Sequence, residues 1–235
     1  MKLAIAESIQ KKYPDLRIGI VVADEVRNEP SAALEEFVTK GFRVFASKHD
    51  NPNDVEKHKN ILAWREIYRS FGVNPKKKKP TAEALLTRVV RSSFVPNINP
   101  AVDAYLASEM LHYLPIGGYD LEKIDGDIVL RESVGGEEFT GVGSDDVEKT
   151  DQGEVIYADS SRVLTRRWNY RDCDHSKIDV GTTRLALFVE GPVHEISDDE
   201  IKDTAQDMSA NLSKYCGAKT KVLFLERGQN EIDLG

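Results

Sequence analysis

Apolar residues follow two spacings along the chain, and each spacing predicts a different kind of element. Near-continuous apolar runs rich in β-branched residues, such as LRIGIVVA at 16–23, are typical of buried strands. Apolar residues that recur every three or four positions are typical of helices with one buried face. The elements predicted in this way are strands over 16–23, 154–159, 162–168, 182–190 and 221–225, and helices over 31–46, 55–71, 81–92 and 197–217.

The order of these elements indicates an α+β fold. Strands and helices are mixed without a regular strand–helix–strand repeat, which favours α+β over a doubly wound parallel sheet. We therefore expect a single domain over 1–235, with a mixed, mainly antiparallel sheet packed by helices. The segment 3–12 indicates only a short helix or an edge element.

The segment 99–138 contains a predicted helix and then a strand between two pairs of glycines. Asn99 comes directly before a proline, which is a helix-start signal, and the strand is expected over 127–134. Gly117-Gly118 is a predicted turn before this strand, and Gly135-Gly136 is a predicted turn after it. Glycine pairs allow backbone amides to approach a ligand closely, and ordinary turns are the alternative interpretation.

Charge is distributed unevenly on a chain whose net charge is −8. Between residues 57 and 91 there are ten Lys and Arg against two Asp and Glu, whereas 132–159 holds nine acids and one Lys. A basic band on an acidic protein can bind one polyanion, and the alternative is a dipolar surface without a partner. The candidate RNA-binding residues in this band are Lys76, Lys77, Lys78, Lys79, Arg88 and Arg91, the four lysines forming an exposed extended loop.

Several functional classes receive no support from the sequence. No apolar run approaches the length of a membrane span, so no membrane association is expected. The two cysteines have neither metal-site nor disulfide-framework spacing, which predicts reduced thiols and a cytoplasmic location. No metal or other cofactor is expected, and none of the familiar catalytic motifs is present. The sequence leaves the oligomeric state open.

The run RRWNYR at 166–171 places arginines beside aromatic residues. This combination is suited to stacking on a nucleobase or to binding an anion, and a strand edge with one buried Trp is the alternative. Arg167 and Asn169 are two positions apart on a predicted strand, so they are expected to share one face.

Three stretches resemble the free-standing B-three/B-four domain family. They are WREIYRSFGVNPKKKKPTAEALLTRVV, NPAVDAYLASEMLHYLPIGGYDLEKIDGDIVLRESVGGEEF and GEVIYADSSRVLTRRWNYRD, and the resemblance covers about 54–215. This family is similar to the editing module of the beta subunit of bacterial phenylalanyl-tRNA synthetase. The resemblance implies an aminoacyl-ester hydrolase that acts in trans on mischarged tRNA. The synthetase module usually has a histidine where this chain has Gly117, two residues before Tyr119-Asp120.

The resemblance leads to a predicted pocket at the strand ends. Its expected residues are Gly117, Gly118, Tyr119, Arg131, Glu137, Arg167 and Asn169. Glu137 is the candidate catalytic residue, and the glycine amides would stabilise a developing oxyanion. Salt bridges between Arg131 or Arg167 and the acidic segment are the alternative. The alternative function is a non-catalytic pocket that binds an amino acid, a nucleoside or a tRNA end, and a protein that has lost its function is a third, weaker possibility.

Overall fold

A computed structural model describes residues 1–235. The helices are α1 (Glu7–Lys12), α2 (Ala32–Ser47), α3 (Pro52–Glu56), α4 (Lys59–Ser70), α5 (Thr81–Ser92), α6 (Pro100–His112) and α7 (Asp198–Cys216). The strands are β1 (Lys2–Ile5), β2 (Arg17–Asp24), β3 (Ile116–Asp120), β4 (Ile128–Glu132), β5 (Glu138–Thr140), β6 (Val147–Lys149), β7 (Val155–Ala158), β8 (Val163–Arg166), β9 (Arg171–Asp172), β10 (Leu185–Gly191), β11 (Lys219–Leu225) and β12 (Glu231–Asp233). The expected α+β class is confirmed.

The strands form two main sheets and one small hairpin. The larger sheet has the order β12-β1-β4-β7-β8-β9, the second has the order β11-β2-β10-β3, and β5 pairs with β6. Only β1 and β4 run parallel, and every other pair is antiparallel. The sheets are therefore mixed and mainly antiparallel, as expected, but there are two main sheets where a single one was predicted.

The apolar runs of β2 and β10 lie at the centre of the molecule. Every residue of β10 is buried, and so is every residue of β2 except its last. Helix α7 packs on one face of the four-stranded sheet, where Ile201 approaches Gly19 and Gly191. The six-stranded sheet covers the other face, where Tyr157 stacks on Phe188 with 5.9 Å between ring centroids. Burial on both faces explains why these strands are apolar at almost every position.

Local capping explains where the helices begin. Asn99 accepts a hydrogen bond from the Val102 amide, and Ser197 forms a capping box with Glu200, as predicted. The predicted helix over 55–71 is instead two helices, because His58 caps a new helix immediately after α3 ends. No helix has the length and apolar character needed to cross a membrane.

Two predicted boundaries need correction. Gly117-Gly118 is not a turn: both glycines lie within β3, and the chain reverses earlier, at Tyr113, whose φ is 55°. The strand predicted over 162–168 ends at Arg166, because Arg167 and Trp168 have φ values of 50° and 68°. The turn at Gly135-Gly136 is confirmed, with φ values of 86° and 73°.

Candidate functional site

A small cavity lies between the two main sheets. Its free volume is about 20 Å³, roughly the space of one water molecule, and the empty space rises to about 290 Å³ when the open solvent at its mouth is included. The four-stranded sheet contributes Ile116, Gly117, Tyr119, Phe188 and Glu190, the six-stranded sheet contributes Tyr157, Thr165 and Asp172, and the remaining wall consists of Thr81, Trp168 and Asn169. Alternation along the strands determines this set, because residues two apart share a face. Gly117 and Tyr119 on β3 therefore face the cavity together, as do Phe188 and Glu190 on β10.

The two glycines of β3 have different structural roles. A Cβ atom at Gly118 would lie 2.4 Å from the Ala186 carbonyl oxygen, so only glycine allows β10 to approach this closely. A Cβ atom at Gly117 would meet only Asp172 Oδ1, at 4.0 Å, which is ordinary van der Waals contact. Strand packing therefore does not require glycine at position 117, and its missing side chain leaves open space in front of Asp172.

Two carboxyl groups, the buried Glu190 and the half-buried Asp172, are the hydrogen-bond acceptors of the cavity. The Thr165 hydroxyl donates to Asp172 at 2.5 Å, and the Tyr157 hydroxyl donates to Glu190 at 2.6 Å. Burial raises the pKa of Asp172 to about 6 and the pKa of Glu190 to about 7. Both groups therefore exchange protons near neutral pH, and a cationic ligand in the cavity would favour their ionised forms.

Three further polar groups belong to residues that line the cavity and are potential donors. Thr81 Oγ1, Trp168 Nε1 and Asn169 Nδ2 are buried, and none has a hydrogen-bond partner in the protein. The Tyr68 hydroxyl donates to Asn169 Oδ1 at 2.7 Å, which orients the amide and leaves its N–H groups unpaired. Unpaired buried donors cost about 1–3 kcal/mol each, so three of them around one cavity suggest a ligand that supplies acceptors.

The loop between β8 and β9 holds two of these donors in an unusual backbone conformation. Left-handed φ values at Arg167 and Trp168 cost about 1–2 kcal/mol per residue without glycine. The buried Trp168 ring anchors the loop through edge contacts with Trp64 and Tyr13, at centroid distances of 5.5 and 4.9 Å. Aromatic packing therefore supports the loop that presents Asn169 to the cavity.

Arg131 and Glu137, two of the predicted pocket residues, lie outside this cavity. Arg131 pairs in register with Ile156, and Leu130 pairs with Tyr157, so Arg131 lies on the sheet face opposite the cavity. Its guanidinium binds Glu137 with N–O distances of 2.5 and 3.1 Å, and this ion pair lowers the pKa of Glu137. This is the salt bridge named as the alternative interpretation.

The other predicted pocket residues are divided between the cavity and its surroundings. Gly117, Tyr119 and Asn169 line the cavity. Gly118 faces away from it, towards β10 and α7. Arg167 does not line it either, since its guanidinium pairs with Asp151 at 3.0 Å. Arg167 and Asn169 do not share a strand face, because the strand has already ended at Arg166.

The predicted basic band is only partly available to a partner. Lys79 is not a free loop lysine: it pairs with Glu56 at 3.2 Å and with the buried Glu83 at 2.8 Å. Lys76 and Lys77 are exposed and form no salt bridge, and Lys78 contacts Tyr170. The segment is a turn rather than an extended loop. Of the two arginines of α5, Arg88 stacks on Phe94 at 3.7 Å and Arg91 is exposed.

Sequence reasoning missed most of the residues that line the cavity. Asp172 directly follows the RRWNYR run, and Glu190 directly follows the five apolar residues Leu185–Val189. A carboxylate at the end of a buried strand is an available signal, because charged residues are rarely buried without a function or a partner. Pro80 holds the capping position of α5, and Thr81, the first residue of this helix, lines the cavity.

Comparisons with known proteins show the family of this chain. A family model described as the B3/4 domain matches residues 63–217. The chain belongs to the B3/4 domain family. All cavity residues, from Thr81 to Glu190, lie within the matched B3/4 domain. The B-three/B-four resemblance expected from the sequence is confirmed.

Several solved chains match this B3/4 protein, and one of them is similar to it at low sequence identity. It is the crystal structure of an N-terminal fragment of the phenylalanyl-tRNA synthetase beta subunit from Pyrococcus horikoshii. The likeness has 12% sequence identity and a TM-score of 0.48, and it covers 94% of this chain and 53% of that one. The B3/4 protein therefore spans about half the length of the solved fragment. A comparison with curated proteins found no match.

Proposed function

We propose that this B3/4 protein hydrolyses the ester bond of mischarged aminoacyl-tRNA in trans. The observation that carries the proposal is that one cavity is lined both by carboxylate acceptors, Asp172 and Glu190, and by buried donors without a partner. An aminoacyl ester has a cationic ammonium group on one side of its α-carbon and a carbonyl oxygen on the other. The cavity lining contains both kinds of partner, together with the aromatic residues Tyr119 and Phe188.

The two carboxyl groups are suited to different tasks. Asp172, whose pKa is raised by burial to about 6, is mostly ionised at neutral pH and would bind the ammonium group. Glu190, whose pKa is raised to about 7, is suited to accepting and returning a proton near neutral pH. We therefore assign Glu190 as general base, and Glu137 loses this role because Arg131 neutralises it outside the cavity.

The proposed reaction has two steps. Glu190 takes a proton from a water molecule while the water oxygen attacks the ester carbonyl carbon. The oxyanion that develops would accept hydrogen bonds from Asn169 Nδ2 and Trp168 Nε1. The carbon–oxygen bond to the ribose then breaks, and the ribose oxygen takes the proton back from Glu190. The products are the free amino acid and uncharged tRNA.

The surroundings of the cavity supply a route for the RNA. Lys76 and Lys77 are exposed, carry no carboxylate partner and lie a few residues before the cavity residue Thr81. Phosphate groups of a tRNA end would contact this turn while the aminoacyl group enters the cavity. Membership of the B3/4 family supports the same substrate, through the resemblance of that family to the synthetase editing module.

A non-catalytic binding protein is the second candidate, because no histidine lines the cavity. The same acceptors and donors would bind a free amino acid or a nucleoside without turnover. In that case the ligand would raise the melting temperature, whereas no ester would be hydrolysed faster than in buffer.

The decisive experiment measures deacylation of a panel of mischarged tRNAs by the wild-type protein and by Glu190→Gln. We expect Glu190→Gln to lower the rate by about 10²–10⁴-fold, as is typical for loss of a general base. Glu109→Gln is the matched control, because Glu109 is also buried with a pKa raised to about 8 but does not line the cavity. Equal rates for wild type and Glu190→Gln on every substrate would contradict the assignment.

A further inference from the structure

We propose that Tyr170, together with Lys78 and Arg167, forms a shelf at the cavity rim that stacks the terminal nucleobase of the RNA. The inference rests on the proposed function, because it assumes that the ligand of the cavity is attached to a nucleotide. It adds a binding site for the base, separate from the cavity that receives the aminoacyl group.

The three side chains of the shelf are in contact. Lys78 Nζ lies 5.0 Å from the Tyr170 ring centroid and donates to the Tyr170 hydroxyl at 3.3 Å. The Arg167 guanidinium carbon lies 5.4 Å from the same ring. Tyr170 is only partly buried, so part of the residue is exposed to solvent.

The shelf is continuous with the cavity through both of its chain segments. Asn169, which lines the cavity, directly precedes Tyr170, and Thr81 lies three residues after Lys78. The segments 78–81 and 169–170 therefore each have one end at the cavity wall, and their other ends are joined by the Lys78–Tyr170 contact. A nucleotide whose ribose lies at the cavity mouth would have its base within reach of this ring.

The contacts of Lys78 are weak enough for a base to displace. Its ammonium group has no carboxylate partner, and a cation over an exposed ring contributes only about 0.5–1 kcal/mol. Stacking of a nucleobase on an aromatic side chain contributes about 1–3 kcal/mol, so the base would displace the Lys78 ammonium group from the face of the ring. The released ammonium group could then bind the phosphate of the same nucleotide.

Arg167 supplies an independent indication of a ligand. Its Nη1 atom is buried without a hydrogen-bond partner, although Nη2 is bound to Asp151. The side chain is held in place by a loop with left-handed backbone at Arg167 and Trp168. A phosphate or ribose oxygen at the shelf would satisfy the unpaired N–H group.

The test uses two uncharged RNA hairpins with the same single-stranded 3′ extension. One ends in adenosine and the other ends in an abasic residue, and affinity is measured by fluorescence anisotropy. We expect the wild-type protein to bind the adenosine-ended RNA about 5- to 150-fold more tightly, the range that corresponds to one stacked base. Tyr170→Leu should bind both RNAs equally, whereas Tyr170→Phe should keep the preference because it keeps the ring.

Tyr215→Leu is the matched control. Tyr215 also has a lysine over its ring, Lys214 at 4.8 Å, but it lies on α7, beyond the opposite face of the four-stranded sheet. This variant should keep the preference for adenosine. Any one of three results would overturn the proposed shelf. They are a preference for adenosine that Tyr170→Leu keeps, a wild-type protein that shows no preference, and a wild-type protein that binds neither RNA. Hydrolysis of an aminoacyl methyl ester, which has no base, tests the cavity separately, so the two proposals can fail independently.

Discussion

Glu190→Gln should change how the stability of the protein depends on pH. Burial raises the pKa of Glu190 from 4.5 to about 7, so the folded protein binds a proton between these pH values that the unfolded chain releases. Stability therefore falls as pH rises through this window and is constant above it. The difference corresponds to at most about 3 kcal/mol for this one group. Glutamine cannot ionise, so the variant should not lose this stability as the pH rises from 4.5 to about 7.

The assay is urea denaturation of both proteins at pH 5 and at pH 8. We expect the free energy of unfolding of Glu190→Gln, relative to wild type, to improve by up to about 3 kcal/mol between the two pH values. Groups with lowered pKa values do not interfere, because the pKa of Glu200, for example, is lowered to about 2 and its contribution is lost only in more acidic solution. Parallel pH curves for the two proteins would show that Glu190 is ionised in the folded state and would refute the reasoning.

Three further predictions follow from the same geometry. Gly117→Val should fold normally and reduce deacylation at least 10-fold, because the valine methyl groups would enter the cavity. Gly118→Val should instead lower the melting temperature sharply, because the valine Cβ would clash with the β10 backbone. The double variant Lys76→Ala/Lys77→Ala should reduce the salt dependence of tRNA binding by about 1–2 in log–log slope, and an unchanged slope would remove the turn from the RNA surface. Glu137→Gln should lower stability by breaking the ion pair with Arg131 and should leave the deacylation rate unchanged. A loss of activity at unchanged stability would show that Glu137 takes part in the reaction.

The sequence was sufficient to predict most elements because their signals are local. Helix caps at Asn99 and Ser197 depend on residues within one turn, and the burial of β10 follows from its continuous apolar run. The backbone turn at Arg167 could not be predicted in this way, because no glycine marks its left-handed conformation. It depends on the anchoring of Trp168 against aromatic rings from distant segments.

The candidate site could be predicted only in part, for a related reason. Its residues come from both sheets, and their proximity depends on which face of each strand packs inward. The strand IVLRE has apolar residues on both faces, so its pattern does not decide whether Leu130 or Arg131 faces the cavity. The packing of one sheet on the other determines which residue faces inward. It places Asp172 and Glu190 on the wall of the same cavity and leaves Arg131 outside that cavity.

The glycine at position 117 can now be interpreted chemically. The synthetase editing module that the sequence resembles usually has a histidine there, and histidine is the side chain that normally exchanges protons near neutral pH. In this chain the space in front of Asp172 is open instead, while burial raises the pKa values of Asp172 and Glu190 to about 6 and about 7. These two carboxyl groups of the cavity therefore titrate in the range where a histidine would. The missing histidine removes one proton-transfer group, but it leaves the cavity with others of suitable pKa and with more room for a substrate.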